Sequence, residues 1–108
     1  DCSSRGLGDV YKRQIDDHPD YAEAWNKRAT VRFMRGDDYG SRRDIAEVID
    51  REPRHFGALS GLGMIHIRNG NLQGALQAFE AALRVNPHLA NAQDMITRLR
   101  QELRGQSL

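Results

Sequence analysis

This sequence of 108 residues has no long apolar run, no pair of cysteines and almost no net charge. Without a run of 18 or more apolar residues, the sequence predicts no membrane insertion. A single cysteine, Cys2, excludes an internal disulfide framework and a thiolate metal site. A formal net charge of +1 gives no electrostatic reason to expect nucleic acid or anionic lipid as a partner. The remaining balance, 39% hydrophobic and 29% charged residues, is typical of a folded globular or repeat chain.

The sequence also lacks the residue patterns of an enzyme or a metal site. The four histidines are His18, His55, His66 and His88, and no two of them have the four-residue spacing of a helical metal site. All except His66 lie at repeat boundaries near prolines. Gly61 and Gly63 lack the third glycine of a phosphate-binding loop. No Ser/His/Asp or Cys/His arrangement is supported. We therefore predict no catalytic activity, no metal and no cofactor.

The start of the chain resembles foreign sequence. Residues 4–14 read SRGLGDVYKRQ, which resembles the translation of a transposase-based sequencing adapter; a natural helix end that matches by chance is the alternative. We expect residues 1–14 to be an artefactual leader, so that the native N-terminus and any signal peptide are missing. Residues 15–108 carry 13 basic and 13 acidic side chains, and every basic one except Lys27 is arginine. This composition favours a bacterial protein, of the cytoplasm or the periplasm.

A period of 34 residues runs through the rest of the chain. Pro19, Pro53 and Pro87 follow one another at this spacing. Apolar and glycine positions repeat with the same step, as in Ala24, Ala58 and Ala92; Val31, Ile65 and Leu99; Ile15, Ile49 and Leu83; and Gly36 and Gly70. A regular step of this length is typical of a stacked helical repeat protein.

Within each period the apolar residues are spaced as in amphipathic helices. Trp25, Ala29 and Phe33 step by four, and later runs step by three and four. We predict five helices, over 21–35, 38–51, 55–69, 72–85 and 89–104. Because the linkers between them are short, successive helices are expected to pack antiparallel.

Glycines and capping residues stand at the ends of these predicted helices. Gly36 and Gly70 can adopt the left-handed conformation that ends a helix. Asp37 or Asp38, and Asn71, can then accept hydrogen bonds as the N-cap of the next helix. Asp20 followed by Glu23 predicts a capping box at the first helix.

The 34-residue unit resembles the tetratricopeptide repeat. The second unit matches the pattern best, at Leu59, Leu62, Gly63, Gly70, Ala75, Phe79, Ala82 and Pro87, and the first matches at Trp25, Ala29, Gly36, Ile45, Val48 and Pro53. The resemblance implies an all-α, antiparallel helix-hairpin solenoid over residues 15–104. Its parts are the tail of an upstream repeat (15–21), repeats at 22–55 and 56–89, a capping helix (90–104) with the apolar face Met95, Ile96, Leu99 and Leu103, and a C-terminal tail (105–108).

The resemblance also implies a function. Such arrays present a concave groove, which here would be lined by Glu23, Asn26, Thr30, Phe33, Met34, Ser60, Met64, Ile67, Arg68, Asp94, Arg98 and Gln101. It indicates a scaffold that binds a partner peptide or protein segment. The alternatives are that these residues touch neighbouring helices, and that the array is a structural or regulatory segment packing against its own larger chain. Asn26 is the one plausible member of a chaperone-type carboxylate clamp, and Gly61 stands where a second Asn is wanted, so we expect no such clamp.

Two features of the first repeat depart from the family. Arg28 and Arg32 stand where apolar residues are usual, and a buried charge needs an acceptor. We predict an Arg28–Asp44 pair inside the first hairpin, with anion binding by Arg28, Arg32 and Arg35 as the functional alternative. The helix of Trp25 would normally be covered by upstream repeats. We expect this edge either to self-associate or to be covered by residues 1–14 as a makeshift helix.

Overall fold

The structure, a computed structural model, describes the backbone of residues 2–106 and the side chains of residues 9–105. This part of the chain is all-α, as predicted, and contains no strand. Its helices are α1 (Cys2–Asp17), α2 (Ala22–Met34), α3 (Asp38–Arg51), α4 (Phe56–Arg68), α5 (Leu72–Val85) and α6 (Ala90–Gln106). The chain forms two compact units, unit 1 (Asp1–Pro53) with α1–α3 and unit 2 (Arg54–Leu108) with α4–α6. None of the described helices is long and apolar enough to cross a membrane.

All five predicted helices are present, as α2–α6, with ends within two residues of the predicted ones. The additional helix, α1, occupies most of the segment that the sequence analysis sets aside as a leader. It packs against α2, and its Ile15 is buried. The packing of α1 on α2 agrees with the expectation that an N-terminal helix covers this face, and self-association stays a prediction. Helix α6 continues into the predicted tail as far as Gln106, and residues 107–108 lie outside the described part.

The helix–helix linkers use the same chemistry in both units. Gly36 and Gly70 have φ of 85° and 77°, the left-handed conformation that ends a helix. Asp37 Oδ1 then accepts a hydrogen bond from the Gly40 N–H at 2.9 Å, which caps α3. In unit 2, Asn71 Oδ1 accepts one from the Gly74 N–H at 3.0 Å. These predicted ends and caps are confirmed.

The predicted capping box at the first hairpin is wrong. The N-cap of α2 is Tyr21, and no side chain there accepts a capping hydrogen bond. Because the helix begins at Ala22, Asp20 lies one residue too early to cap it. The first helix of unit 2 has a cap that the sequence analysis does not predict, since His55 Nδ1 accepts the Ala58 N–H at 3.0 Å.

The hairpin of α2 and α3 in unit 1 has a small apolar core with polar groups inside it. Ala29, Ile45 and Val48 are buried. Ser41, 1% exposed, donates its hydroxyl to the Ala29 carbonyl oxygen at 2.7 Å and so ties the two helices together. Pro53 follows the C-cap residue of α3, a position where proline ends a helix.

Unit 2 contains an apolar core cluster. Its buried members on α5 and α6 are Ala75, Leu76, Phe79, Ala92, Ile96 and Leu99, and Ala58 and Ile65 of α4 are buried as well. Helix α4 approaches this core at Gly63, where a Cβ atom would lie 2.6 Å from Phe79 Cε2. Glycine therefore allows the close approach of the two helices at this crossing. Pro87 follows the C-cap residue of α5, in the same place as Pro53 in unit 1.

Candidate functional site

Unit 2 contains an open pocket of about 450 Å³ between α4 and the start of α6. This size lies within the range of about 300–1,000 Å³ that ligand pockets occupy. We call it the α4–α6 pocket, and it is lined by Phe56, Gly57, Ser60, Met64, Phe79, His88, Leu89, Ala90, Asn91, Ala92 and Met95. No carboxylate, lysine or arginine is among these residues, and most of them are apolar. The pocket is therefore suited to an apolar group.

Helical spacing explains how these side chains come together. Phe56, Ser60 and Met64 step by four along α4, and Asn91 and Met95 do so along α6, so each set shares one helix face. The buried ring of Phe79 contributes from α5. Phe56 and Met64 are 42% and 40% exposed, which is high for large apolar side chains. They leave apolar surface available around the pocket.

The predicted groove residues of unit 2 separate into three groups. Ser60 and Met64 line the α4–α6 pocket. Ile67 packs against the unit 2 core instead. The third group lies outside the pocket lining and is exposed. It consists of Arg68, Asp94, Arg98 and Gln101.

Sequence reasoning missed part of the pocket. Phe56, Leu89 and Met95 line it and are absent from the predicted groove. The signal that could have indicated Phe56 is a large apolar residue at the first position of a helix, where burial against a partner helix is incomplete. Met95 was predicted to belong to the apolar face of the capping helix, and it does pack partly against the core as well.

The predicted groove residues of unit 1 differ in exposure. Glu23, Asn26 and Phe33 are half-buried. Thr30 is exposed, and its hydroxyl donates to the Asn26 carbonyl oxygen of its own helix at 3.1 Å. Met34 is 77% exposed.

A second cavity, of about 260 Å³, lies between α2 and α3 in unit 1. We call it the arginine cleft, and it is lined by Trp25, Arg28, Arg32, Arg43, Asp44 and Glu47. Asp44 is 1% exposed. Arg28 donates to both of its carboxylate oxygens, from Nε at 3.0 Å and from Nη2 at 2.8 Å. Arg32 Nη1 donates to Asp44 Oδ2 at 3.2 Å.

The predicted Arg28–Asp44 pair is thus present, and it is bidentate. The hydrogen bonds that Arg28 donates to Asp44 raise the pKa of the Arg28 guanidinium above its ordinary value. Partial burial acts in the opposite direction, and the charges of Asp44 and Asp16 add to the increase. Arg28 is therefore held in its charged form. Arg35, the third member of the predicted anion site, is exposed and does not line the cleft.

Trp25 forms one wall of the arginine cleft. Its ring lies between two guanidinium groups, with Arg28 Cζ 5.3 Å and Arg51 Cζ 4.6 Å from the ring centroid. The indole Nε1–H donates to the Pro19 carbonyl oxygen at 2.9 Å, and Arg51 Nε donates to the same oxygen. Arg51 also pairs with Glu47 at 2.6 Å. The guanidinium contacts hold the face of the ring, and the indole hydrogen bond holds its polar edge.

No metal site is evident among the described residues, where no group of three or more His, Cys, Asp or Glu side chains is placed to hold an ion. The side chain of Cys2 lies outside the described part.

Residues 40–90 match the family model of the tetratricopeptide repeat. A TPR repeat-containing protein of Rhizobium etli is 46% identical over 87 residues, which are 81% of this chain and 43% of that relative. This chain thus spans less than half the length of the relative.

Solved structures share the fold. The first TPR of Spaghetti (RPAP3), bound to the HSP90 peptide SRMEEVD, has a TM-score of 0.84 at 20% identity, covering 89% of this chain and 76% of that one. The TPR2B domain of yeast Sti1, in a pHsp70 complex, has a TM-score of 0.83 at 16% identity, covering 94% and 86%. The repeat match, the relative and the shared fold together identify this chain as a member of the tetratricopeptide-repeat family.

Proposed function

We propose that this chain binds a segment of a partner protein through the α4–α6 pocket, and that a large apolar side chain of the segment is the anchor. The observation that carries this proposal is the lining of the pocket, which is mostly apolar and free of carboxylate, lysine and arginine side chains. A pocket of this composition gains most from an apolar occupant, because a charged one would lose its hydration without a partner.

The energetics of the pocket support an apolar anchor. Complete burial of a Leu, Met or Phe side chain contributes about 1.5–3 kcal/mol. Met64 and Met95 have flexible, polarisable side chains that can adapt to anchors of different shape. Ser60 and Asn91 provide polar groups in the lining, which can bind the backbone of the segment.

The related structures bind peptides, which supports a peptide-type occupant. The peptide bound to the first TPR of Spaghetti, SRMEEVD, has an acidic residue at its end and two more just before the penultimate valine. The second TPR domain of human RPAP3 has a TM-score of 0.78 at 20% identity, covering 86% of this chain and 78% of that one, and was solved with the HSP70 peptide SGPTIEEVD. Because the α4–α6 pocket contributes no lysine or arginine side chain, we propose that the ligand of this chain is recognised by an apolar residue and not by a terminal carboxylate.

The test begins with selection of peptides from a random library on the complete chain, followed by calorimetry with the synthetic winner. We expect the selected peptides to share a large apolar residue. Met64→Glu should weaken binding at least about tenfold, since it places a charge in the apolar lining. Met34→Glu, an exposed methionine of unit 1, is the matched control and should leave the affinity unchanged.

Three results would count against the proposal. One is a set of selected peptides that shares terminal acidic residues and no apolar position. Another is equal loss of binding in the Met34→Glu and Met64→Glu variants, which would place the site elsewhere. A match between the selected peptides and another segment of the same full-length protein would instead favour a structural or regulatory role within its own chain.

A further inference from the structure

The arginine cleft of unit 1 holds more positive than negative charge. Arg28 and Arg32 share the single carboxylate of Asp44. Arg43 lines the same cleft, and its Cζ lies 5.7 Å from the centroid of the Tyr39 ring. It forms no ion pair with any described residue. The lining therefore holds three arginines and two carboxylates, a net charge of +1, and Arg51, which pairs with Glu47, adds one more positive charge beside the cleft.

Neighbouring charges do not remove this excess. Glu47, the second carboxylate of the lining, is paired with Arg51 at 2.6 Å. On α1, Asp16 contributes to the field at Arg28, but it is paired with Lys12 at 3.3 Å. Both pairs are close to neutral as units.

Unused donors face the cavity. Arg28 uses Nε and Nη2 toward Asp44, and Arg32 uses Nη1 toward Asp44 and the Gly40 carbonyl oxygen. Within the described part, no buried side-chain nitrogen or oxygen lacks a hydrogen-bond partner. The remaining guanidinium N–H groups are therefore accessible, which agrees with side-chain exposures of 15% for Arg28 and 32% for Arg32.

We propose that the arginine cleft binds a phosphate group. A phosphate near neutral pH carries between one and two negative charges, opposite in sign to the excess of the cleft. Its oxygens fit the planar fork of guanidinium N–H donors. The cavity of about 260 Å³ has the volume of roughly eight water molecules, so it can hold a phosphate with part of its hydration. This site lies in unit 1 and does not depend on the peptide pocket of unit 2.

The experiment follows the arginine Nε–Hε resonances of the ¹⁵N-labelled complete chain by NMR. Sodium phosphate is titrated at constant ionic strength, because screening alone changes surface electrostatics. We expect saturable shifts at Arg32 and Arg43. Arg43→Gln should weaken phosphate binding about tenfold, since it removes charge-assisted hydrogen bonds.

Arg42→Gln is the matched control. Arg42 is the exposed neighbour of Arg43 on α3 and does not line the cleft, so its replacement should leave the affinity unchanged. Arg43→Gln leaves all three arginine hydrogen bonds to Asp44 in place, so this variant should stay folded. Arg32→Lys provides a second probe, which keeps the charge but loses the fork and should also weaken binding.

A second titration, with phosphoserine, distinguishes the sources of the phosphate group. Tighter binding of phosphoserine than of inorganic phosphate indicates a phosphorylated side chain, and the reverse order indicates the free ion; both support the cleft as a phosphate site. Shifts that grow linearly without saturation for both probes would overturn the proposal. So would an equal loss of affinity in the Arg42→Gln and Arg43→Gln variants.

Discussion

The buried pair of unit 1 has an apolar counterpart in unit 2. One 34-residue step converts Arg28 and Asp44 into Leu62 and Ala78. Removal of one partner of a buried ion pair leaves a charge without compensation, whereas replacement of both by apolar residues of suitable size is often neutral. The two repeats thus provide a natural template for a mutational test.

We predict that Asp44→Ala lowers the free energy of unfolding by about 3–5 kcal/mol, because it leaves Arg28 and Arg32 without their acceptor. The double variant Arg28→Leu/Asp44→Ala, which copies unit 2, should recover most of this loss. Urea unfolding followed by circular dichroism measures both. A double variant as unstable as Asp44→Ala alone would contradict the interpretation, and so would an Arg28→Leu variant with unchanged stability.

The raised pKa of Arg28 determines how its contribution to the free energy of unfolding changes with pH. A group whose pKa is higher in the folded state contributes its full stabilisation below the unfolded pKa, and loses it only as the pH rises through the folded value. The ordinary pKa of arginine already lies far above neutral pH. The stability difference between the native chain and the Asp44→Ala variant should therefore stay constant from about pH 7 to 10. Urea titrations at several pH values measure this difference. A decline between about pH 7 and 10 would show that the stability difference does not depend on the charge of Arg28.

The Arg28–Asp44 pair could be predicted from the sequence because repeat alignment places both residues on facing helices. The members of the arginine cleft could not all be predicted. Arg35 was assigned to it and lies outside, whereas Arg43 lines it from α3. Which of several neighbouring arginines faces a cleft depends on the rotation of each helix about its axis, and the spacing of residues alone does not fix that rotation to better than one position.

At the scale of helices, the crossing of α4 over α5 depends on Gly63. A Cβ atom at this position would lie 2.6–2.8 Å from three atoms of the Phe79 ring, which is itself held in the buried core. We predict that Gly63→Ala lowers the free energy of unfolding by about 1–3 kcal/mol through overpacking. Gly105→Ala is the control, because nothing lies within 4 Å of its Cβ, and it should be neutral or slightly stabilising. Thermal unfolding of both variants measures the difference, and equal stabilities would contradict the crossing.

Helix ends were largely predictable, since Gly36, Gly70, Pro53 and Pro87 each have one conformational role that the 34-residue step repeats. The capping box at Asp20 failed because a cap depends on the position of a single residue, which periodicity does not resolve. The pocket was half predictable. Ser60 and Met64 of α4 follow from the family pattern, whereas Phe56 of the same helix does not. Met95 has both core and pocket contacts, and a sequence pattern assigns a residue to one face only.

At the scale of the whole molecule, helix α1 covers part of the surface of α2. We predict that deletion of residues 1–14 lowers the melting temperature and produces a species whose mass rises with concentration, because the α2 surface that α1 covers would be exposed to water. Light scattering coupled to size-exclusion chromatography measures the mass. The complete chain at the same concentrations is the control and should keep a constant mass. A truncated chain of constant mass and unchanged melting temperature would show that α1 contributes nothing to this face.

The position of Trp25 has a spectroscopic consequence. It is the sole tryptophan of the chain, and its indole is held between Arg28 and Arg51 in unit 1. Its emission therefore reports the melting of one unit, whereas helical ellipticity reports both. Coincident emission and ellipticity transitions would mean that the units unfold as one cooperative system, and separated transitions would give each unit its own midpoint. One native fluorophore thus measures how strongly neighbouring repeats are coupled in this chain, without any label.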